Sequence, residues 1–531
     1  MRQHILKNIS KLKFDKRPVS TSSVVAFFLS RCVHCASKIK QDDVEIGKTE
    51  RKAHSSLNYK MEKEIMEKFS WIQKQAPSFG ISGENVRVIK EPSDFHDTMK
   101  VMIGHARKRI VIASLYLGTG SLEKELVQCI EEACERAVAS GNTEFEVHIL
   151  LDYNRGSRGG DCSSRTMLLP LIENYRDSVQ VYLYHTPDLR GLLKKYLPER
   201  INEAIGLNHM KIYLTDDDFI ISGANLSDSY FTNRQDRYIQ FRGCKSMAEY
   251  LCDIVKATAC FSFHLQDNND TTYPQHAPHP YEDTDNGHAY KEFARKCVTD
   301  VNKYWTLSPD NNGCDNSSSD CDTCLTPLIQ MGPFKIHDDE YVTEQLFRKA
   351  EADDKIVLAS GYFNLTSQYL DTVLNESKAE FEIVTASPEA NGWHGATGLS
   401  HYVPAVYTQI AHDFYKEVCR TCQQGRITLH EYQRPYWSFH CKGLWYYLPH
   451  STLPVLTLIG SPNYGYRSVY RDLECQVAVV TTNKSLQEQL KEERDRLSTC
   501  LHPVTEETFE KPDRAVPLFA RLFRGILKHF A

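Results

Sequence analysis

A histidine, a lysine and an asparagine occur in the same order at two places in the chain, and an acidic residue follows each set. The first copy contains His209, Lys211 and Asn225, with Asp216 between the lysine and the asparagine. Because His209 and Lys211 are two residues apart, an extended chain presents both on one face. Imidazole acts as a nucleophile or an acid/base near neutral pH, and lysine provides positive charge for a phosphate. The set therefore indicates chemistry on a phosphate group.

The second copy strengthens this interpretation, because a lone H-x-K pair is more typical of an exposed edge strand. This copy contains His440, Lys442 and Asn463. The interval from each asparagine to a following acid is the same in both copies: Asn225 to Asp236, and Asn463 to Glu474. Repetition of these residue types in one order by chance is improbable, so we interpret both copies as functional.

The elements that must position these residues are also duplicated. Residues 109–127 resemble residues 355–374, each an apolar strand leading into a helical pattern, and residues 145–156 resemble residues 381–392. The pattern predicts an α/β fold with two domains of one design, each carrying half of a site. Two histidines in equivalent positions of such halves would face each other across a pseudo-two-fold interface.

Duplicated H-x-K pairs with G-A-N or G-S-P-N downstream resemble the phospholipase D superfamily. Longer segments are similar to the mitochondrial phosphatidylglycerophosphate synthase family over roughly residues 70–530: SGANLSDSYFTNRQDRY, ASLYLGTG, RTMLLPL, SGYFNL, FHCKGLW and LIGSPNYGYRS. The resemblance implies tandem phospholipase D-like domains with mixed sheets flanked by helices. The sequence departs from the superfamily at one position: the aspartate of the motif is Asp216 in the first copy but Tyr447 in the second.

The resemblance implies transfer of the phosphatidyl group from CDP-diacylglycerol to glycerol 3-phosphate. The products would be CMP and phosphatidylglycerophosphate, on the route to phosphatidylglycerol and cardiolipin. His209 would form a covalent phosphohistidine, and His440 would act as general acid and then general base. Asp216 would support the site structurally. This mechanism requires no cofactor and no metal, and stimulation by a divalent metal is left open.

Other polar residues are candidates for binding and orientation. The residues expected to hold the phosphate oxygens are Lys211, Lys442, Asn225 and Asn463. Asp236 and Glu474 are expected to orient the histidines through the far ring nitrogen. Candidates for binding the acceptor's phosphate are Arg155, Arg158, Arg165, Arg467 and Arg471, and a surface ion pair is an equally good interpretation of each.

Two other functions fit the same motifs. A hydrolase or nuclease of the superfamily would keep both histidines, but the net charge of −6 argues against a nucleic-acid partner. A non-catalytic membrane adaptor would explain Tyr447, although the intact second copy of the motif argues against it. The residues alone do not separate glycerol 3-phosphate from serine or water as the acceptor.

Two further patterns invite a ligand. Gly118, Thr119, Gly120 and Ser121 lie between an apolar strand and a helical pattern, where backbone amides could cradle a phosphate. The loop lacks the lysine and spacing of a P-loop, so a plain turn is favoured. The chain has 17 cysteines, some in C-x-x-C pairs, but a zinc site needs two such pairs together. We expect no metal site, and reduced thiols.

Composition divides the chain into six segments. The first is basic and serine-containing, typical of a mitochondrial transit peptide, and the last predicts a basic amphipathic helix for a membrane surface. The expected segments are a transit peptide (1–40), a lead-in (41–79), a first domain (80–265), a poorly ordered insertion (266–326), a second domain (327–513) and the C-terminal helix (514–531). We expect a peripheral protein on the matrix side of the mitochondrial inner membrane.

Overall fold

The computed structural model describes residues 54–197, 202–203, 205–282, 285–308 and 321–517. The predicted transit peptide and nearly all of the predicted C-terminal helix lie outside the described residues. Within the described residues, every helix is too short or too polar to cross a membrane.

The strands form two large sheets and one short pair. Those up to residue 272 are β1 (Phe79–Ile81), β2 (Val86–Ile89), β3 (Arg109–Ala113), β4 (Glu146–Asp152), β5 (Val179–Tyr184), β6 (Ile212–Thr215), β7 (Asp218–Ser222), β8 (Arg234–Gln235), β9 (Tyr238–Phe241), β10 (Phe263–Leu265) and β11 (Thr271–Thr272). The later strands are β12 (Thr323–Met331), β13 (Ile336–His337), β14 (Lys355–Ser360), β15 (Glu380–Ala386), β16 (Ile427–Tyr432), β17 (Ser438–Phe439), β18 (Lys442–Tyr447), β19 (Leu456–Gly460), β20 (Leu473–Thr481) and β21 (Leu501–Pro503).

Helices connect these strands and cover the sheets. The helices before residue 310 are α1 (His54–Phe69), α2 (Pro92–His105), α3 (Ser121–Ala139), α4 (Tyr153–Ser157), α5 (Ser164–Asn174), α6 (Gly191–Tyr196), α7 (Asp228–Thr232), α8 (Lys245–Ala259) and α9 (His288–Leu307). The later helices are α10 (Asp338–Lys349), α11 (Ser367–Asp371), α12 (Val403–Arg420), α13 (Tyr466–Tyr470), α14 (Lys484–Ser498) and α15 (Glu506–Glu510).

The two sheets repeat one topology. The first has the order β11-β10-β5-β4-β3-β6-β7-β9-β2, and the second has the order β1-β12-β20-β19-β18-β14-β15-β16-β21, with β13 paired to β12. In each sheet three neighbouring strands are parallel (β3, β4 and β5; β14, β15 and β16) and the strand after the H-x-K pair runs antiparallel to the first of them. The predicted mixed α/β fold and the duplication are both confirmed.

Buried apolar side chains form three clusters. The central cluster contains residues of both sheets together with α8, α9 and α14, so the two halves share one core. A second cluster packs α2, α3 and α5 against the first sheet, and a third packs α1, α10 and α12 against the second. Strands covered on both faces explain the nearly continuous apolar runs of β3, β4 and β14.

The lead-in segment belongs to the second half. Strand β1, which falls at the expected start of the first domain, pairs antiparallel with β12 of the second sheet. Helix α1, which precedes β1, also packs on the second half. Lys68 Nζ donates to Asp354 at 2.8 Å, and the ring of Phe69 packs edge-on against Tyr446. The first part of the chain that the structure describes therefore packs on the second half.

The segment 266–326, expected to have poor order, contains the long helix α9. Tyr290, Ala294, Val298, Val301 and Trp305 recur every three or four residues along it and are buried in the central cluster. This apolar stripe gives the helix a packed face despite its polar flanks. The polar stretch 309–320 lies outside the described residues.

Candidate active site

Each motif histidine is hydrogen-bonded to the carboxylate of the opposite half. His209 Nδ1 lies 2.9 Å from Glu474 Oε2, and His440 Nδ1 lies 2.6 Å from Asp236 Oδ2. All four side chains are buried. With Nδ1 donating to a carboxylate, the neutral ring keeps its lone pair on Nε2. Each histidine is therefore oriented by a residue of the other half, so both halves are needed to position either ring.

Short backbone bridges between the halves set this geometry. The amide of His209 donates to the carbonyl of Leu473 at 2.8 Å, and the amide of His440 donates to the carbonyl of Gln235 at 2.8 Å. β17 runs parallel to β8, so the start of each H-x-K segment lies beside the chain that carries the opposite carboxylate. The same contact made twice, in opposite directions, is a pseudo-two-fold axis.

The two motif lysines lie inside the protein. Lys211 Nζ donates to the carbonyl of His209 at 2.7 Å, and Lys442 Nζ donates to that of His440 at 2.9 Å. Burial lowers the pKa of Lys211 to about 7 and also lowers that of Lys442. A phosphate arriving between them would raise both pKa values, since an anion favours the charged form.

Burial also controls the histidines and their carboxylates. It holds the pKa of both imidazoles well below the usual value, and the neighbouring motif lysines lower it further. Burial raises the pKa of Asp236 to about 6 and that of Glu474 to about 7. Both imidazoles are therefore neutral at pH 7 in the free protein, as a nitrogen nucleophile requires.

Asn225 connects to His440 through a tyrosine that the sequence analysis did not select. Asn225 Nδ2 donates to Tyr230 Oη at 3.0 Å, and Tyr230 Oη lies 3.2 Å from His440 Nε2. Gly223 permits this packing, because a Cβ atom there would lie 2.7 Å from Asp236 Oδ1 and 2.8 Å from Cδ of Lys442. Asn225 Oδ1 is buried without a hydrogen-bond partner among the described residues.

Asn463 is held by its backbone. Its backbone amide donates to Ser468 Oγ at 3.0 Å, and its backbone carbonyl accepts from Ser360 Oγ at 3.1 Å. Its Oδ1 atom is buried and lacks a hydrogen-bond partner in the part of the chain that the structure describes. In both asparagines the side-chain oxygen therefore lacks a donor among the described residues. A phosphate oxygen needs a donor, so the Nδ2 group is the part of each side chain suited to binding it.

Of the arginine candidates, Arg467 acts electrostatically on a motif histidine. Its charge is among the causes that lower the pKa of His209, and its Nη2 atom lies 3.1 Å from Asp472 Oδ2. Arg471 lies with its guanidinium over the ring of Tyr466.

The other three arginines make separate contacts. Arg155 and Arg158 share Glu203, at 3.6 and 3.1 Å. Arg165 is bonded to Ser157 Oγ and to the carbonyl of Asn269. Arg165 therefore supports a loop, and no contact brings it to either histidine among the described residues.

The aspartate of the first motif lies at the far end of β6 from Lys211. Asp216 occupies the turn between β6 and β7, where its carboxylate accepts the backbone N–H groups of Arg107, Lys108 and Arg109. Tyr447 is the last residue of β18, the equivalent strand, and is buried in the central apolar cluster. The missing second aspartate therefore changes a turn, and not the contacts of the histidines.

The glycine-containing loop 118–121 is already filled by a carboxylate. A Cβ atom on Gly120 would lie 2.6 Å from Glu123 Oε2, and Glu123 Oε1 accepts the amide of Asp228 at 2.6 Å. A carboxylate at this helix start repels an anion, so the loop is not suited to phosphate and serves as a turn.

The cysteines are mostly single thiols. Among the described residues, thirteen cysteines are free and Cys321 is disulfide-bonded, contrary to the expectation of reduced thiols throughout. The partner of Cys321 lies outside the described residues. Within the residues that the structure describes, no three His, Cys, Asp or Glu side chains are arranged to hold a metal ion.

Comparison with known proteins gives consistent relatives. The chain is similar to a Gallus gallus protein named CDP-diacylglycerol–glycerol-3-phosphate 3-phosphatidyltransferase, mitochondrial, with 47% identity over 485 residues, 87% of this chain and 86% of that protein. The human protein of that name is 46% identical over 485 residues, 88% of this chain and 86% of its own. A Dictyostelium discoideum protein with the name qualified as probable is 38% identical over 528 residues, 96% of this chain and 89% of its own.

No family model matches the chain. Among solved structures, the fold is similar to phosphatidylserine synthase from Haemophilus influenzae Rd KW20, with a TM-score of 0.64 and 16% identity. That match covers 88% of this chain and 100% of the other.

Proposed function

The chain belongs to the CDP-diacylglycerol–glycerol-3-phosphate 3-phosphatidyltransferases, and from that premise we propose how its two histidines carry out the transfer. The enzyme moves the phosphatidyl group from CDP-diacylglycerol to glycerol 3-phosphate and releases CMP. The observation that carries the mechanism is the pair of buried histidines, each oriented by a carboxylate of the other half.

In the first step, His209 Nε2 attacks the phosphorus on the diacylglycerol side of CDP-diacylglycerol. An N–P bond forms, the P–O bond to CMP breaks, and His440 Nε2 gives its proton to the departing CMP oxygen. Glu474, bonded to Nδ1, stabilises the positive ring that results at His209. Splitting one displacement into two is the gain from the covalent intermediate.

In the second step, glycerol 3-phosphate occupies the position that CMP left. His440 takes the proton of its primary hydroxyl, the oxygen attacks phosphorus, and the N–P bond to His209 breaks. The product is phosphatidylglycerophosphate, and both histidines return to their starting state. Asp236 holds His440 in one tautomer through both proton transfers.

His440 must be protonated before the first step, although burial disfavours its charged form. The pyrophosphate of the substrate supplies the compensating charge, since a nearby anion raises the pKa of an imidazole. The lysines and asparagines of the two motifs hold the phosphate oxygens, with Lys211 and Lys442 charged once the anion binds. Substrate binding thereby protonates His440, whereas the His440 ring stays neutral in the empty site.

We propose that the enzyme acts on the matrix face of the mitochondrial inner membrane as a peripheral protein. The relatives are named mitochondrial. Helix α6, shortly before His209, exposes Leu192 by 74% and Tyr196 by 69%, next to Lys194 and Lys195. Apolar side chains beside lysines suit the surface of an anionic membrane, and the lipid substrate resides there.

The test uses purified protein with CDP-diacylglycerol and labelled glycerol 3-phosphate, serine or water. Wild type should form phosphatidylglycerophosphate, and His209→Ala and His440→Ala should not. With CDP-diacylglycerol labelled at the phosphatidyl phosphorus, wild type should carry label on His209. That label should survive alkali and be lost in acid, as a phosphohistidine requires. CMP release without lipid transfer would support a hydrolase instead, and a labelled His440 would reverse the assigned roles.

A further inference from the structure

Arg234 lies beside His440 on the chain that carries Asp236. It belongs to β8, where it is in register with Ser438 of β17, and its Nε atom donates to Ser438 Oγ at 3.0 Å. Arg234 and Asp236 are two residues apart, so extended backbone directs both side chains to the same face. Asp236 uses that face to reach His440 Nδ1. The guanidinium is therefore directed to the His440 side of the site.

The neighbours of this guanidinium are aromatic. Its Cζ atom lies 4.6 Å from the ring centre of Tyr230, the tyrosine bonded to His440 Nε2. Gly392 makes room for it, since a Cβ atom there would lie 3.0 Å from Arg234 Nη2 and 2.5 Å from Tyr362 Oη. Tyr362 packs edge-on against the ring of His440, with centroids 5.6 Å apart. Arg234 thus belongs to the group of side chains, with Tyr230 and Tyr362, that surrounds His440.

Among the described residues, the groups that act on the charge of Arg234 are tyrosines and not a contacting carboxylate, and its side chain is only partly exposed. Two other arginines near the site are neutralised: Arg467 pairs with Asp472 at 3.1 Å, and Arg237 pairs with Glu493 at 2.9 Å. A guanidinium is always protonated and presents several N–H donors in one plane. A partly buried cation without an acidic partner has much to gain from an anionic ligand.

The duplicated halves differ at this position. Two residues before Glu474, where the first half has Arg234, the second half has Asp472. Asp472 accepts the amide of Leu207 at 3.0 Å in addition to its pair with Arg467. At this position the His209 side therefore carries an ion pair, and the His440 side carries an arginine without a carboxylate in direct contact among the described residues.

We propose that Arg234 binds the phosphate group of the acceptor and so selects glycerol 3-phosphate over uncharged acceptors. This inference rests on the proposed function, in which His440 deprotonates the acceptor hydroxyl on this side. An acceptor bound through its phosphate to Arg234 presents its other end toward His440. The phosphate of CMP passes the same side, so the two anions must be separated by experiment.

The test compares Arg234→Gln, Arg234→Lys and the control Arg420→Gln in the full chain. Arg420 is an exposed residue at the end of α12, and its guanidinium pairs with Glu417 of the same helix. Steady-state transfer is measured at saturating CDP-diacylglycerol with glycerol 3-phosphate and, separately, with glycerol as acceptor. Inhibition by CMP gives the affinity for the leaving nucleotide. Thermal unfolding shows that each variant is folded.

Arg234→Gln should raise the KM for glycerol 3-phosphate roughly 10- to 100-fold, the value of one or two charge-assisted hydrogen bonds. The kcat/KM for glycerol should fall at least about 5-fold less than that for glycerol 3-phosphate, because glycerol has no phosphate whose hydrogen bonds could be lost. Arg234→Lys, which keeps the charge without the planar fork, should lie between wild type and Arg234→Gln.

Three results would overturn the inference. One is an unchanged KM for glycerol 3-phosphate, whatever happens to CMP inhibition. Another is an equal loss with glycerol and glycerol 3-phosphate, which would mean that Arg234 only supports Tyr230 and His440. The last is Arg234→Lys behaving as Arg234→Gln with both acceptors. Failure of the proposed function is separate, because it would appear as wild-type protein that does not use glycerol 3-phosphate.

Discussion

Replacement of Asp216 by alanine should destabilise the protein and spare its chemistry. The carboxylate accepts backbone N–H groups from Arg107 at 2.9 Å, from Lys108 at 2.7 Å and from Arg109 at 3.0 Å. The residue also has a φ of +51°, in the left-handed region that aspartate tolerates better than alanine. Asp216 therefore stabilises a turn, whereas His209 and Lys211 of the same motif lie in the candidate active site.

The magnitude follows from these contacts. A hydrogen bond at a partly exposed carboxylate contributes about 0.5 to 1 kcal/mol, so the three together contribute about 2 kcal/mol. The left-handed backbone adds roughly 1 kcal/mol against alanine. Asp216→Ala should lower the free energy of unfolding by about 3 kcal/mol in total. Asp216→Asn keeps one acceptor oxygen and the backbone preference, so its loss should be about half as large.

Chemical denaturation followed by circular dichroism measures the loss, and transfer activity is assayed well below the unfolding midpoint. Asp217 in the same turn is the matched control, since its carboxylate meets only the side chains of Lys108 and Arg109 at the surface, 3.2 and 3.6 Å away. Asp217→Ala should cost less than about 1 kcal/mol. A 100-fold fall in kcat for Asp216→Ala with unchanged unfolding would refute a structural role.

Three further outcomes are expected. Asp236→Asn should reduce transfer about 100- to 10,000-fold and move the His440 limb of the pH–rate profile to lower pH, while Glu474→Gln leaves that limb in place; a shift in both would contradict the cross-paired geometry. Tyr230→Phe should lower kcat roughly 3- to 10-fold, the value of one neutral hydrogen bond, with an unchanged KM for CDP-diacylglycerol in steady-state assays. Burial lowers the pKa of His185 to about 3, so the unfolded chain binds a proton there below pH 6.5 that the folded chain does not; unfolding free energy should fall by about 2 kcal/mol from pH 6.5 to 5, and by that much less in His185→Phe.

The sequence was sufficient for the fold because its signals are local. Short segments rich in apolar residues mark β3, β4, β14 and β15, which are five to seven residues long, and their repetition in order gives two sheets of one topology. The spacing of His209 and Lys211 places them together for the same reason, since it depends only on extended backbone. The helical pattern of residues 290–305 is visible in the sequence, but the polar stretches around it favour poor order, whereas the apolar stripe of α9 packs in the shared core.

Contacts between the halves were beyond a reading of the sequence. Matched offsets indicate that Asp236 and Glu474 orient histidines, but which carboxylate meets which histidine depends on how the two sheets pack. β1 pairs with the second sheet for a similar reason, since three residues carry no signal for a partner more than two hundred positions away. Tyr230 belongs to no repeated motif, so only its contact with His440 identifies it.

Departures from the repeat are what allow two equivalent histidines to take different roles. A symmetric site would give both rings the same environment and no reason for one to attack and the other to move protons. Here His440 faces Tyr230 at Nε2, whereas the residue equivalent to Tyr230 in the second half, five after its asparagine, is Ser468, which binds the amide of Asn463. Arg234 and its counterpart add a second difference, in charge. Both differences favour the proposed assignment, in which His440 is the ring beside the exchanging group, where an anion and a proton arrive together, and His209 is the nucleophile.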